Sequence, residues 1–205
     1  MTKRNPAASK FRLVPLYLVL ALVTGCAQTE PTRFYTLESR SQAEAVSTAK
    51  EFVRGIAVGP VVLPKYLDRP QLVRRPSPYI VQVAEFDRWA EPLDDMIARV
   101  VTENLSALLA TDRVYLTSGP LPQNVAYQVE LMIFRFDITE NNQTTLTTHW
   151  SILDRRSDRI QTSRKVTYSE TARSSDYDDI ASAMSDNLAA LSQDIAAALS
   201  LRKTS

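Results

Sequence analysis

Tyr127-Gln128-Val129-Glu130-Leu131-Met132-Ile133-Phe134-Arg135-Phe136-Asp137-Ile138 is the stretch that decides how this chain folds. Successive side chains of a β-strand point to opposite faces, so Tyr127, Val129, Leu131 and Ile133 share one face while Gln128, Glu130 and Met132 share the other. The apolar phase then moves to Phe134, Phe136 and Ile138. One extra residue in a strand shifts the phase in this way, so the pattern predicts a bulge, or burial of both faces, between Met132 and Phe134. Asn141-Asn142 supplies a turn, after which Leu146, Thr148, Trp150 and Ile152 fall on one face of a second strand. A polar connection at 154–158 leads to a third strand over 160–171 that carries Val166 and Tyr168. The three make an antiparallel meander.

Two helices flank it. Over 92–110, Leu93, Met96, Ile97, Val100, Val101, Leu105, Leu108 and Leu109 repeat at the 3.6-residue helical period. Pro92 suits the first turn, and Asp94 and Asp95 suit the positive end of the helix dipole. The second helix spans 176–201, with Ser175 as its expected cap and a narrow stripe of Ile180, Met184, Leu188, Leu191, Ile195 and Leu199 among alanines. Further upstream, 33–37, 55–63, 79–84 and 114–116 are strand candidates. Pro60 points to an edge or bulge, and 38–50 is a polar loop. The fold class is therefore α+β: one domain, a mostly antiparallel sheet with two amphipathic helices packed on it.

The amino terminus carries a different signal. Lys3, Arg4, Lys10 and Arg12 precede an apolar run over 13–22, and Val23-Thr24-Gly25 ends at Cys26, the only cysteine in the chain. The run is about ten residues and contains Pro15, whereas a spanning helix needs about 20. Residues 1–25 thus form a lipoprotein signal peptide, Cys26 is the acylated first residue, 26–32 is a short tether and 33–205 is the body. Two or more acyl chains anchor a protein stably where one holds only marginally. Ala27, rather than an aspartate, follows the cysteine, which favours the outer membrane on its periplasmic side.

The whole chain carries 24 basic and 23 acidic residues. Four of the basic ones lie in the signal, leaving 20 against 23 and a net charge of about −3. No basic stripe for a nucleic acid is visible. The only histidine, His149, has no second histidine or free cysteine with which to build a metal site, and no Gly-x-Ser-x-Gly elbow accompanies it. The pairs Asp94/Asp95 and Asp178/Asp179 sit at helix starts, where the dipole accounts for them. Asn-x-Ser/Thr triplets at Asn104 and Asn142 are chance matches. The expectation is no metal, no cofactor beyond the diacylglycerol and N-acyl groups on Cys26, and no catalysis.

One block stands apart: Leu63-Pro64-Lys65-Tyr66-Leu67-Asp68-Arg69-Pro70-Gln71, running on to Arg75, with Trp89-Ala90-Glu91-Pro92-Leu93 beyond it. Pinned by prolines, it suits a rigid loop offering Tyr66 and Arg69 to a partner. The local alternative pairs Arg69 with Asp68 or Glu91 and packs Trp89 over the helix.

Together with Phe34-Tyr35-Thr36-Leu37 and the acylation motif, these blocks resemble the ABC-type transport auxiliary lipoprotein family over nearly the whole mature chain. The resemblance implies a non-enzymatic lipoprotein that works with an MCE-domain protein, an inner-membrane partner and, in some systems, an ABC transporter to move lipids across the periplasm. It carries Cys26 over as the acylation site and leaves Tyr66, Asp68, Arg69 and Trp89 as candidate partner-binding residues. A homo-oligomeric ring is a further implication. Two other readings stay open, a structural envelope lipoprotein and a periplasmic lipid carrier.

Overall fold

Why the central strand takes its place follows from its inward set. The computed structural model describes residues 30–40 and 54–201. The chain divides into two units, Met1–Pro31 and Thr32–Ser205. In the first, only Glu30 and Pro31 are described, both exposed and outside any helix or strand. The second unit holds eight strands: β1 (Arg33–Tyr35), β2 (Gly55–Val62), β3 (Gln71–Ser77), β4 (Ile80–Trp89), β5 (Val114–Leu116), β6 (Val125–Ile138), β7 (Gln143–Asp154) and β8 (Arg159–Thr171). Its helices are α1 (Leu93–Leu108) and α2 (Tyr177–Ser200).

Tyr127, Val129, Leu131, Ile133, Phe136 and Ile138 are all buried, as are Leu146, Thr148, Trp150 and Ile152 across the β6–β7 ladder. The phase slip is a bulge: Ile133 faces Thr148 and Arg135 faces Thr147, so Phe134 is the unmatched residue. Burial of both faces does not occur, because Met132 and Phe134 are 47% and 42% exposed. Asn142 takes the left-handed conformation that the β6–β7 turn requires.

The sheet is mixed rather than purely antiparallel. β6 pairs antiparallel with β7, and β7 with β8, as the meander requires. On its other side β6 pairs parallel with β2 along its first half and with β3 at its end, where Arg74 meets Ile138. β3 and β4 form an antiparallel hairpin, β1 adds parallel to β4, and β5 adds parallel to β2. Parallel neighbours need crossovers through other elements, which alternation along one strand does not encode. Residues 71–75, expected within a rigid loop, belong to strand β3, and the strand expected at 79–84 continues to Trp89. Arg33 and Tyr35 bring their side chains to the buried Asp87 at 2.8 and 2.9 Å, so this charge is paired inside β4.

Pro60 marks a bulge and not an edge, since β2 has β5 and β6 on its two sides. The ladder to β6 slips between Val58 and Val61. Gly59 sits there with φ +120°, and a Cβ on it would strike the Thr117 hydroxyl, so only glycine fits.

Both helices cover one face of the sheet. α1 buries Leu93, Met96, Ile97, Val100, Val101 and Leu105, as its periodicity predicts. Burying each such side chain contributes about 2 kcal/mol. The stripe therefore outweighs the roughly 1 kcal/mol of any cap, and α1 does without a side-chain cap bond at Pro92. In α2 the N-cap position belongs to Asp176, again without a cap bond, and not to Ser175. The Ser175 carbonyl instead accepts from Arg74 at 2.8 Å. Asn104 is buried where the layers meet: its Oδ1 accepts from Ser39 Oγ and the Arg40 amide, and its Nδ2 donates to Ser192 Oγ on α2. The triplet it begins is thus an internal junction. Of the polar loop at 38–50, residues 41–50 lie outside the described residues.

Candidate functional site

Residues 63–75 leave β2 and turn into β3, and a turn holds them: the Leu67 amide donates to the Pro64 carbonyl at 2.9 Å, and the Arg69 amide to Leu67 at 2.8 Å. This turn buries Leu67 and directs Tyr66 inwards, where its hydroxyl donates to Asp137 Oδ2 at 3.1 Å. Asp137 is fully buried and also takes Arg135 at 2.6 Å and Arg75 at 3.9 Å. A carboxylate without water keeps its charge when cations and hydroxyls surround it. Burial first, then the neighbouring Asp137 charge, pushes the Tyr66 phenol up to about 12. Tyr35 is raised to about 12 by burial first and then by its hydrogen bond to Asp87.

Trp89 is 5% exposed and belongs to the core, and its amide donates to the Pro70 carbonyl at 2.6 Å. Of the four candidate partner-binding residues, the structure thus turns Tyr66 and Trp89 inwards and leaves Asp68 and Arg69 outside. Neither expected local pair of Arg69 forms: Asp68 binds Lys65 at 2.9 Å, and Glu91 binds Arg99 at 3.2 Å. Arg99 also donates to the Thr36 hydroxyl and the Leu37 carbonyl, which straps the Phe-Tyr-x-Leu segment to α1. Cys26 lies outside the described residues.

The surface that sequence reasoning missed is the other face of the sheet. No described helix packs on it. Val62 and Met132 pair across β2 and β6, Phe134 follows at the bulge, and all three are exposed. Around them runs a polar lattice. His149 Nε2 and Ser163 Oγ lie 2.6 Å apart, Ser151 donates to Glu130 at 3.3 Å, and the Lys165 ammonium sits 4.8 Å from the centre of the Phe134 ring. His149 is thus a hydrogen-bonded strand histidine, as its neighbours suggested. The signal for this face was the outward phase of Met132 and Phe134, which the sequence left ambiguous between bulge and burial.

A cavity of about 510 Å³ opens beside Arg54, Asp154, Gln161 and Arg164. Asp154 there has its carboxyl held below the usual range, chiefly by the Arg156 and Ser157 amides. Among the described residues, no three histidine, cysteine or carboxylate side chains stand together as metal ligands. No described helix is long and apolar enough to cross a membrane.

Such a site defines a class: a scaffold whose polar clusters hold its own elements together and whose sheet leaves apolar side chains exposed on the face that no described helix covers. The family model for the ABC-type transport auxiliary lipoprotein component matches residues 35–196, and the chain belongs to that family. It is a family of transport accessory components and not of enzymes. The fold is similar to that of an uncharacterized protein of known crystal structure, at 20% identity and TM-score 0.67 over 82% of this chain and 97% of the other. It is also similar to a protein from Xanthomonas campestris, at 19% identity and TM-score 0.63 over 80% and 92% of the two chains. At those identities the likeness shows the fold alone. Comparison with curated proteins gives no match.

Proposed function

We propose that this protein is a non-enzymatic lipoprotein of the outer membrane, anchored by acyl groups on Cys26, that docks the MCE-domain protein of an intermembrane lipid-transport system and supports envelope integrity. The match of the auxiliary-lipoprotein model across residues 35–196 carries the reading. The acylation motif at 22–26 and the Ala27 that follows it support the anchor and its membrane. The uncovered face with Val62, Met132 and Phe134 supports a docking role, since exposed apolar side chains grouped on one face are the usual mark of an interface. The MCE protein takes that face, and further copies of this chain can assemble around it.

The test is photo-crosslinking in cells. A crosslinker placed at Met132 or Lys165 should trap the MCE-domain protein, while one at Asp112, in the turn after α1, should not. Capture of peptidoglycan or of an outer-membrane β-barrel at Met132, without the MCE protein, would replace the reading with a structural envelope role.

A further inference from the structure

The β3–β4 hairpin ends in Ser77-Pro78-Tyr79-Ile80-Val81-Gln82-Val83. Its tip is apolar and in water: Tyr79 is 97% exposed, and Ile80, Val81 and Val83 are each more than 40% exposed. Val83 lies across from the buried Val73, whereas Ile80 pairs only with Ser77 at the tip, so the apolar exposure rises towards the turn. Beside them lies a cavity of about 310 Å³ lined by Arg75, Pro76, Ser77, Pro78, Arg135 and Thr139. Its two guanidinium groups share a single carboxylate, Asp137, so positive charge is in excess there. Arg75 donates through Nη2 to the Pro78 carbonyl at 2.8 Å, which stiffens the tip, and its Nε has no hydrogen-bond partner. An aromatic phenol at the apex, aliphatic side chains behind it and an arginine pocket within a few residues form the pattern of a segment seated at a lipid headgroup boundary.

Topology says which way the tip faces. β1 lies parallel to β4 with Arg33 opposite Asp87, so the amino-terminal end of β1 points the same way as that of β4, towards the hairpin tip. Cys26 is seven residues before Arg33, and Ile80 is seven before Asp87. Each stretch reaches about 23 Å at about 3.3 Å per residue. The chain thus enters β1 from the tip's side of the sheet, and the seven residues from Cys26 to Arg33 are long enough, fully extended, to span that distance. The turn with Asp112 lies at the other end: the neighbouring Arg113 carbonyl accepts from the Ile56 amide, and Ile56 pairs with Tyr127 near the start of β6. The hairpin tip lies beyond the far end of β6, and the stretch from Tyr127 to Ile138 alone spans about 36 Å at about 3.3 Å per residue.

We propose that the β3–β4 tip is a second, non-covalent membrane contact, with Tyr79, Ile80, Val81 and Val83 entering the headgroup boundary and the Arg75/Arg135 pocket taking a lipid phosphate. This rests on the Cys26 anchor of the proposed function and adds an orientation to it. A single anchor leaves a body free to tumble; two contacts fix which end meets the bilayer and hold the open sheet face clear of it.

The experiment uses the full acylated protein, in which Cys26 is blocked and a new cysteine is the only thiol. Tyr79→Cys and Asp112→Cys carry an environment-sensitive fluorophore in vesicles of phosphatidylethanolamine and phosphatidylglycerol doped with nitroxide lipid. The label at 79 should lose most of its emission to the quencher, and the label at 112 none. Adding Val81→Asp should restore emission at 79, and replacing the lipids with phosphatidylcholine alone should weaken the quenching. Vesicle-bound protein with no quenching at 79 would overturn the hairpin contact while leaving the anchor in place. Failure of every variant to float with vesicles would overturn both. Shielding of 79 only after the MCE protein is added would assign the tip to a protein partner and overturn the lipid assignment.

Discussion

Two neighbouring pieces of chain, 63–75 and 76–83, each combine prolines, one tyrosine and aliphatic residues, yet the fold treats them oppositely. Tyr66 of the first reaches inwards to Asp137, whereas Tyr79 of the second stands in water. The difference lies in what is waiting on the inside. Asp137 is on β6, 71 residues from Tyr66, and its buried charge requires a donor. Tyr79 caps a hairpin that runs past the end of β6, where no described strand or helix remains to pack against. A proline-pinned tyrosine among aliphatic residues is therefore scaffold or surface according to register, and local sequence does not carry that information.

Several changes would break or sharpen this contrast. The largest effect belongs to Trp89→Ala, which empties a core position and should cost about 4 kcal/mol in urea unfolding. Asp137→Ala strands two arginines and a phenol together, with an expected loss of about 3 kcal/mol. Tyr66→Phe removes only the hydrogen bond and should cost about 1 kcal/mol. In a double-mutant cycle the two changes should fall short of additivity, because both act on one bond. If Asp137→Ala proves neutral, the cluster is not what turns the block inwards.

Alkaline pH tests the same pair more gently. The Tyr66 and Tyr35 phenols are raised to about 12 in the fold, so between the ordinary tyrosine value near 10 and that point the unfolded chain gives up protons that the folded chain keeps. Their contribution is fully present below about pH 10 and is lost as pH rises towards 12. Melting temperatures across that window should fall, and fall less in Tyr66→Phe. At the tip the expectation is the smallest of all: Tyr79→Ala should leave stability within about 0.5 kcal/mol, the usual range for surface positions. A large destabilisation there would mean that the tip packs on something within the protein.

Much of the fold was legible in the sequence for physical reasons that these elements share. The meander, the slip at Phe134 and the α1 stripe express periodicities of single elements, and the structure keeps them. β3 was not legible, because Leu72-Val73-Arg74-Arg75-Pro76 neither alternates nor avoids proline. It becomes a strand by pairing with β4, by a single parallel contact at Ile138, and by Arg74 binding the Tyr177 hydroxyl and the Ser175 carbonyl. β4 continues through Glu85, Asp87 and Arg88 because Arg33 and Tyr35, more than 50 residues away, pair with Asp87. As for the site, the block at 63–75 stood out, but its orientation depended on Asp137. The open face and the hairpin tip show only once the helices are seen to cover the opposite side.

Both the docking role and the orientation at the hairpin require Cys26 to be the acylated end of the mature chain, for without it neither has a membrane to refer to. Intact-mass and peptide mass spectrometry of protein purified from membranes measures this directly. The predicted result is an amino-terminal Cys26 carrying a thioether-linked diacylglycerol and an amide-linked acyl chain. A mature chain that begins elsewhere, or that carries an unmodified Cys26, would contradict it.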